Sequence, residues 1–161
     1  MGCFIRGEHS ITFNYITMKL TINLVPKTSW YSNVRSNVSK SKWDMIRMKC
    51  YNLANNKCEI CNSNYKLECH EEWEFDNVHH IQKLVKLIFL CERCHTVKHP
   101  GLAKIHSKEH IVISQLMTIN KMSKNEAIMY IQESFEIWKL KSVHHWKLDI
   151  TYIDEFIHDI F

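Results

Sequence analysis

"ECHEEWEFD", residues 68–76, packs five acids, one cysteine and one histidine into nine positions of a chain that is basic overall. As an extended strand it sorts cleanly. Leu67, Cys69, Glu71, Trp73 and Phe75 point one way, and Glu68, His70, Glu72 and Glu74 point the other. Asp76-Asn77 can turn the chain. The run "VHHIQKLVKLIFL", residues 78–90, is apolar and β-branched enough for a return strand, with a short helix as the alternative. A helix over 92–99 follows. The order expected is strand, turn, strand, helix.

Two C-x-x-C pairs bracket this unit. Cys58-Glu-Ile-Cys61 precedes it and Cys91-Glu-Arg-Cys94 closes it, with 29 residues between Cys61 and Cys91. Each C-x-x-C turn lets two thiolates grip one ion, and two such turns complete a tetrahedral four-sulfur zinc site. Such a site is closed and structural, and it ties the ends of the insert together. A redox role for the pairs lacks the βαβ pattern it would need. His95 and His99 stand four apart on the expected helix and share a face. His70, on the first strand, can pack over them. The alternative is that His95 or His99 fills a spare zinc position or decorates the surface.

Outside the insert, residues 1–20 read as an N-terminal extension with little role in the fold. Residues 21–57 are a basic lead-in with a helix at about 42–55. Ser41 is the expected cap, Trp43, Ile46, Cys50 and Leu53 the apolar stripe, and Asn55-Asn56-Lys57 the exit. Residues 102–161 read as helical, with Ser123 and Glu126 forming a capping box and Ala127, Ile131, Phe135 and Trp138 a stripe. The fold class expected is α+β.

The chain of 161 residues has 21 basic and 17 acidic residues. Without residues 68–76 the balance becomes 21 against 12. From Lys19 to Lys49 there are seven Lys/Arg and one acid, Asp44. That outlines a polyanion-binding surface around an acidic spot, against the alternative of a solvated basic face. Arg35, Lys40, Lys42, Arg47 and Lys49 are the phosphate-contact candidates. The longest strongly apolar run, "LVKLIFL" (84–90), is too short to span a bilayer and contains a lysine. No signal peptide is evident, so a cytosolic protein is expected.

Taken in order, these motifs resemble the HNH endonucleases of the ββα-metal fold. They are closest to a phage and bacterial subgroup with the pattern C-E-I-C, E-C-H-E-x-W-x-(Y/F)-D, Q-x-L-V and L-C-x-x-C-H-x-V-K-H-x-G. The chain carries Cys58 to Cys61, Glu68 to Glu71, Trp73, Phe75-Asp76, Gln82, Leu84-Val85, Leu90 to His95, Val97 to His99 and Gly101. The likeness covers roughly residues 22–152, and its specific part is the central block.

The resemblance implies a zinc-stapled ββα-metal core over 58–101, flanked by helices. It also implies a DNA endonuclease of bacterial or phage-infected cytoplasm, with a phage or host protein as a further partner. His70 becomes the general base. His95 is the leading ligand of a catalytic divalent cation (Mg²⁺, Mn²⁺, Ni²⁺ or Zn²⁺) and His99 a second ligand. Glu71 supplies an oxygen ligand or orients an imidazole. Cys69 occupies the place where such enzymes carry a His or Asp ligand, and Lys86 falls where the middle Asn is expected. The competing reading is a zinc-ribbon module that binds nucleic acid or protein without cutting. A third is a regulator using Cys69 as an exposed thiol.

Overall fold

The computed structural model describes residues 18–158. The first 17 residues of the expected extension lie outside them. Within them the chain is mixed α+β, with a small three-stranded sheet among seven helices.

The hairpin forms as its alternation demands. Strand β1 (Leu67–Asp76) pairs antiparallel with β2 (Ile81–Cys91), from Leu67 opposite Cys91 to Asp76 opposite Ile81. The turn is built by Asp76, whose Oδ1 accepts from the backbone N–H of Val78 (2.8 Å) and His79 (3.1 Å). The register slips once. Glu72 faces Lys86 but Trp73 faces Leu84, so Val85 is an extra residue on β2. Because the bulge sits on β2, the alternation of β1 runs unbroken.

Each face of the hairpin therefore keeps its own core. On one side Trp73, Leu84, Leu87 and Phe89 pack with Val34, with Ile46 and Cys50 of α2 (Lys40–Leu53), and with Ile153 and Phe156 of α7 (Tyr152–His158). On the other side Ile88 and Leu90 pack with Val97 of α3 (Glu92–Lys98). Ala103 of α4 (Pro100–Ile105), Leu116 of α5 (Glu109–Asn120) and Tyr130 of α6 (Lys124–Lys141) complete that cluster. The remaining helix, α1 (Val34–Asn37), is a single turn. No helix among the described residues is long and apolar enough to cross a membrane.

Four expectations are corrected. Helix α2 starts two residues early because Ser39, not Ser41, is its cap, accepting from the Lys42 N–H at 3.2 Å. Leu53 leaves the apolar stripe and is exposed, while Asn55 and Asn56 make the left-handed exit at φ 51° and 50°. The 1–20 extension is cut short by Leu20, which is fully buried. The Asn120 amide donates to the Leu20 carbonyl at 2.7 Å and accepts from its N–H at 3.0 Å. The 102–161 region is not all helix, since β3 (Lys147–Asp149) adds a parallel strand to β2 along Ile81–Lys83. Leu148 and Ile150 gain burial in the α2–α7 core by doing so. The capping box of α6 forms as expected.

Candidate metal centres

The first cluster is Cys58, Cys61, Cys91 and Cys94, whose sulfurs all lie within 4.8 Å of one another. The Cys58–Cys61 knuckle is closed by hydrogen bonds from Cys58 N to Ser63 O and from Asn62 N to Cys58 O, both 2.8 Å, with Asn62 left-handed. It is docked on β2 by Glu59. The Glu59 N–H donates to Phe89 O, its carboxylate accepts from Phe89 N, and Lys86 pairs with it at 2.7 Å. Cys91 ends β2 and Cys94 lies in the first turn of α3, so one strand-to-helix junction delivers both remaining thiols.

Three of the four cysteines are buried, and Cys61 and Cys91 stand 3.5 Å apart. A tetrahedron of Zn–S bonds has edges of about 3.8 Å, so the spacing fits a structural zinc. Without an ion the thiols must share protons among themselves. A hydrogen bond from Cys94 pulls Cys58 down to about 4, that same contact pushes Cys94 up, and burial pushes Cys61 up to about 11. Gln115 Nε2 donates to Cys94 Sγ at 3.2 Å, a ready partner for thiolate charge.

The second cluster is His70, His95 and His99, again with ligand atoms within 4.8 Å, and it is separate from the cysteines. His95 and His99 share one face of the α3 end, with their Nε2 atoms 3.1 Å apart. His70 packs edge-on to both rings, at 5.2 and 5.1 Å between centroids. Its Nε2 is buried and has no hydrogen-bond partner.

The neighbours of His70 on the same face of β1 frame the group. Glu68 Oε2 meets His95 Nδ1 at 2.7 Å, and Glu72 pairs with the buried Lys98 at 2.6 Å. With its Nδ1 proton donated to Glu68, His95 presents a lone pair on Nε2. Burial lowers the pKa of all three imidazoles, with Lys98 adding to the effect. They are neutral near pH 7, the form that ligates metals or accepts protons. An orphaned buried nitrogen, two converging Nε2 atoms and an oriented ligand fit a divalent ion. An all-imidazole set suits zinc or nickel better than magnesium or manganese. The roles of Glu68 and Lys98 were missed at the sequence level, although the i, i+2 alternation already set Glu68 and Glu72 beside His70.

Two expected members of this centre stand elsewhere. Cys69 is on the opposite face of β1, because the bulge spares that strand. Its thiol is pushed far up by the Cys50 thiol beside it and by burial, so it is neither a ligand here nor an exposed reactive sulfur. Glu71 shares that far face and accepts from Val34 N at 3.0 Å, capping α1. Among the basic candidates, Lys42 pairs with Asp154 (3.4 Å), Arg47 with Asp44 (2.9 Å), and Lys49 donates to the Phe156 carbonyl. Arg35 and Lys40 remain exposed. His80 stacks on His144 at the hairpin turn.

Glu71 gives a pH prediction. Burial raises its pKa from 4.5 to about 7 against the hydrogen bonds from the Val34 and Arg35 backbone. The folded pKa lies above the unfolded one, so its contribution is full below about pH 4.5 and is lost as pH rises through 7. Glu71→Gln keeps an acceptor for Val34 and removes the charge. Relative to Glu71→Gln, the wild type should lose up to about 3 kcal/mol of stability between pH 4.5 and pH 8. Urea midpoints of both proteins across that range test this, and parallel pH curves would refute it.

No family model, curated protein or solved structure matches this chain.

Proposed function

We propose that the chain is a metal-dependent endonuclease of the HNH type, hydrolysing DNA phosphodiesters at the His70–His95–His99 centre. The carrying observation is the convergence of three neutral imidazoles from β1 and α3, with one nitrogen of His70 buried and unpartnered. The β1–β2–α3 order matches the ββα-metal arrangement expected of that family.

In this reading His95 and His99 hold the cation, and Glu68 fixes the His95 tautomer and ring. His70 accepts the proton of the attacking water, which its depressed pKa allows at neutral pH. A divalent cation held by these residues would supply charge stabilisation for phosphodiester hydrolysis. The Cys58–Cys61–Cys91–Cys94 cluster holds the scaffold and takes no part in the chemistry.

The test is supercoiled plasmid incubated with wild type or His95→Ala and Mg²⁺, Mn²⁺, Ni²⁺ or Zn²⁺. Expected are nicking by the wild type with a transition ion, loss of nicking in His95→Ala, and a metal count falling from two per chain to one. Gel shifts without nicking under every ion would sink the nuclease reading and leave a binding module.

A further inference from the structure

We propose that the segment over residues 27–40, from the loop before α1 to the first residue of α2, is a stacking surface for unpaired nucleic-acid bases, with Trp30 and Tyr31 as platforms and Lys27, Arg35 and Lys40 holding the flanking phosphates. This rests on the nucleic-acid reading above and assigns the substrate contact that reading lacks.

Trp30 is 66 % exposed and Tyr31 88 %. The backbone that presents them is closely tied. Ser29 N donates to Pro26 O (3.0 Å), Ser32 N to Ser29 O (2.8 Å), and Ser36 Oγ to Tyr31 O (2.8 Å). The loop is also fixed to both strands of the hairpin, by Gln82 Nε2 donating to Ser32 O (3.2 Å) and Val34 N donating to Glu71. Two adjacent aromatics held in water by an ordered backbone bear no load in either core, and that is the arrangement of a binding surface.

The charge around them selects the ligand. No carboxylate occurs from Lys19 to Trp43. Lys27, Arg35 and Lys40 are exposed and form no ion pair among the described residues, unlike Lys42 and Arg47. Glu71 reaches the loop from β1, half-buried, with its carboxylate taken up by the Val34 N–H. Exposed aromatics among free cations fit bases and phosphates of a single strand, because bases in a duplex already stack on each other.

The chain leading into this loop runs round β1 from its histidine side to its far side. Lys98 reaches Thr21 on the histidine side of β1, Asn23 donates to Trp73 O at its edge, and Val34 meets Glu71 on the far side. A strand bound at the loop is thus held by the same β1 that carries His70.

The test measures binding of a fluorescent single strand and its duplex to the full chain without added divalent cation, at several salt concentrations. Trp30→Ala/Tyr31→Ala should weaken single-strand binding at least tenfold, with duplex binding changed far less and thermal melting unchanged. Lys27→Ala/Arg35→Ala/Lys40→Ala should flatten the salt dependence by about two in log–log slope. Wild-type affinity for single strands in the aromatic variant would overturn the inference, even if the plasmid is still nicked. So would loss of self-association in sedimentation with nucleic-acid binding intact. Aromatic-dependent binding with no nicking under any ion would support the inference while the nuclease reading fails.

Discussion

Cys94→Ser abolishes cooperative unfolding: the variant shows no sigmoidal thermal transition by circular dichroism, and a strong chelator does the same to the wild type. Cys58, Cys91 and Cys94 belong to the buried cluster that joins β2 to α3, α5 and α6. The knuckle at 58–63 has little core of its own and reaches the sheet through Glu59 and the thiols. Structural zinc in small domains contributes about 10–16 kcal/mol of apparent binding energy at pH 7. That equals or exceeds the ~5–15 kcal/mol total stability of a typical domain. Losing one ligand also leaves the other buried thiols to share protons again. Elemental analysis should find one chelator-sensitive zinc that Cys94→Ser loses. A Cys94→Ser protein that melts like the wild type would remove the structural-metal assignment.

On the proposed nuclease reading, His70→Ala should lower the nicking rate by about 10²- to 10⁴-fold while the metal count stays at two. The rate falls because proton acceptance by a positioned imidazole is worth that much in the transition state. The metal should stay because its proposed ligands, His95 in α3 and His99 at the C-cap of α3, are untouched, and Glu68 still holds the His95 ring. His95→Ala, in contrast, should lose metal and rate together. If His70→Ala also drops to one metal per chain, His70 is a third ligand and the base lies elsewhere.

The parts of this site written locally were legible. The C-x-x-C spacing, the alternation of β1 and the i, i+4 pair His95–His99 need only the geometry of a turn, a strand or a helix. The meeting of His70 with that pair followed from the hairpin being tied at its ends. What escaped depends on partners far away in the chain. Leu20 is held by Asn120 and buried in the α3–α5–α6 cluster, and β3 exists because β2 has a free edge at Ile81–Lys83. Ser39 and Ser41 are equally good caps by type, and only the path of the preceding residues separates them. Cys69 was drawn toward the metal by the resemblance, whereas plain alternation put it on the other face, and alternation won.

The placement of the bulge has an evolutionary consequence. Because Val85 absorbs the slip on β2, β1 works as two interleaved messages in a fixed reading frame. Odd-numbered positions address the α2–α7 core and even-numbered ones the histidines. Substitutions in one message can accumulate without disturbing the other. Deleting Glu72 would exchange the two across that shift, presenting a thiol and hydrocarbon to His95 and His99 and turning the His70 imidazole to the core. Length, more than identity, is therefore what this strand must preserve.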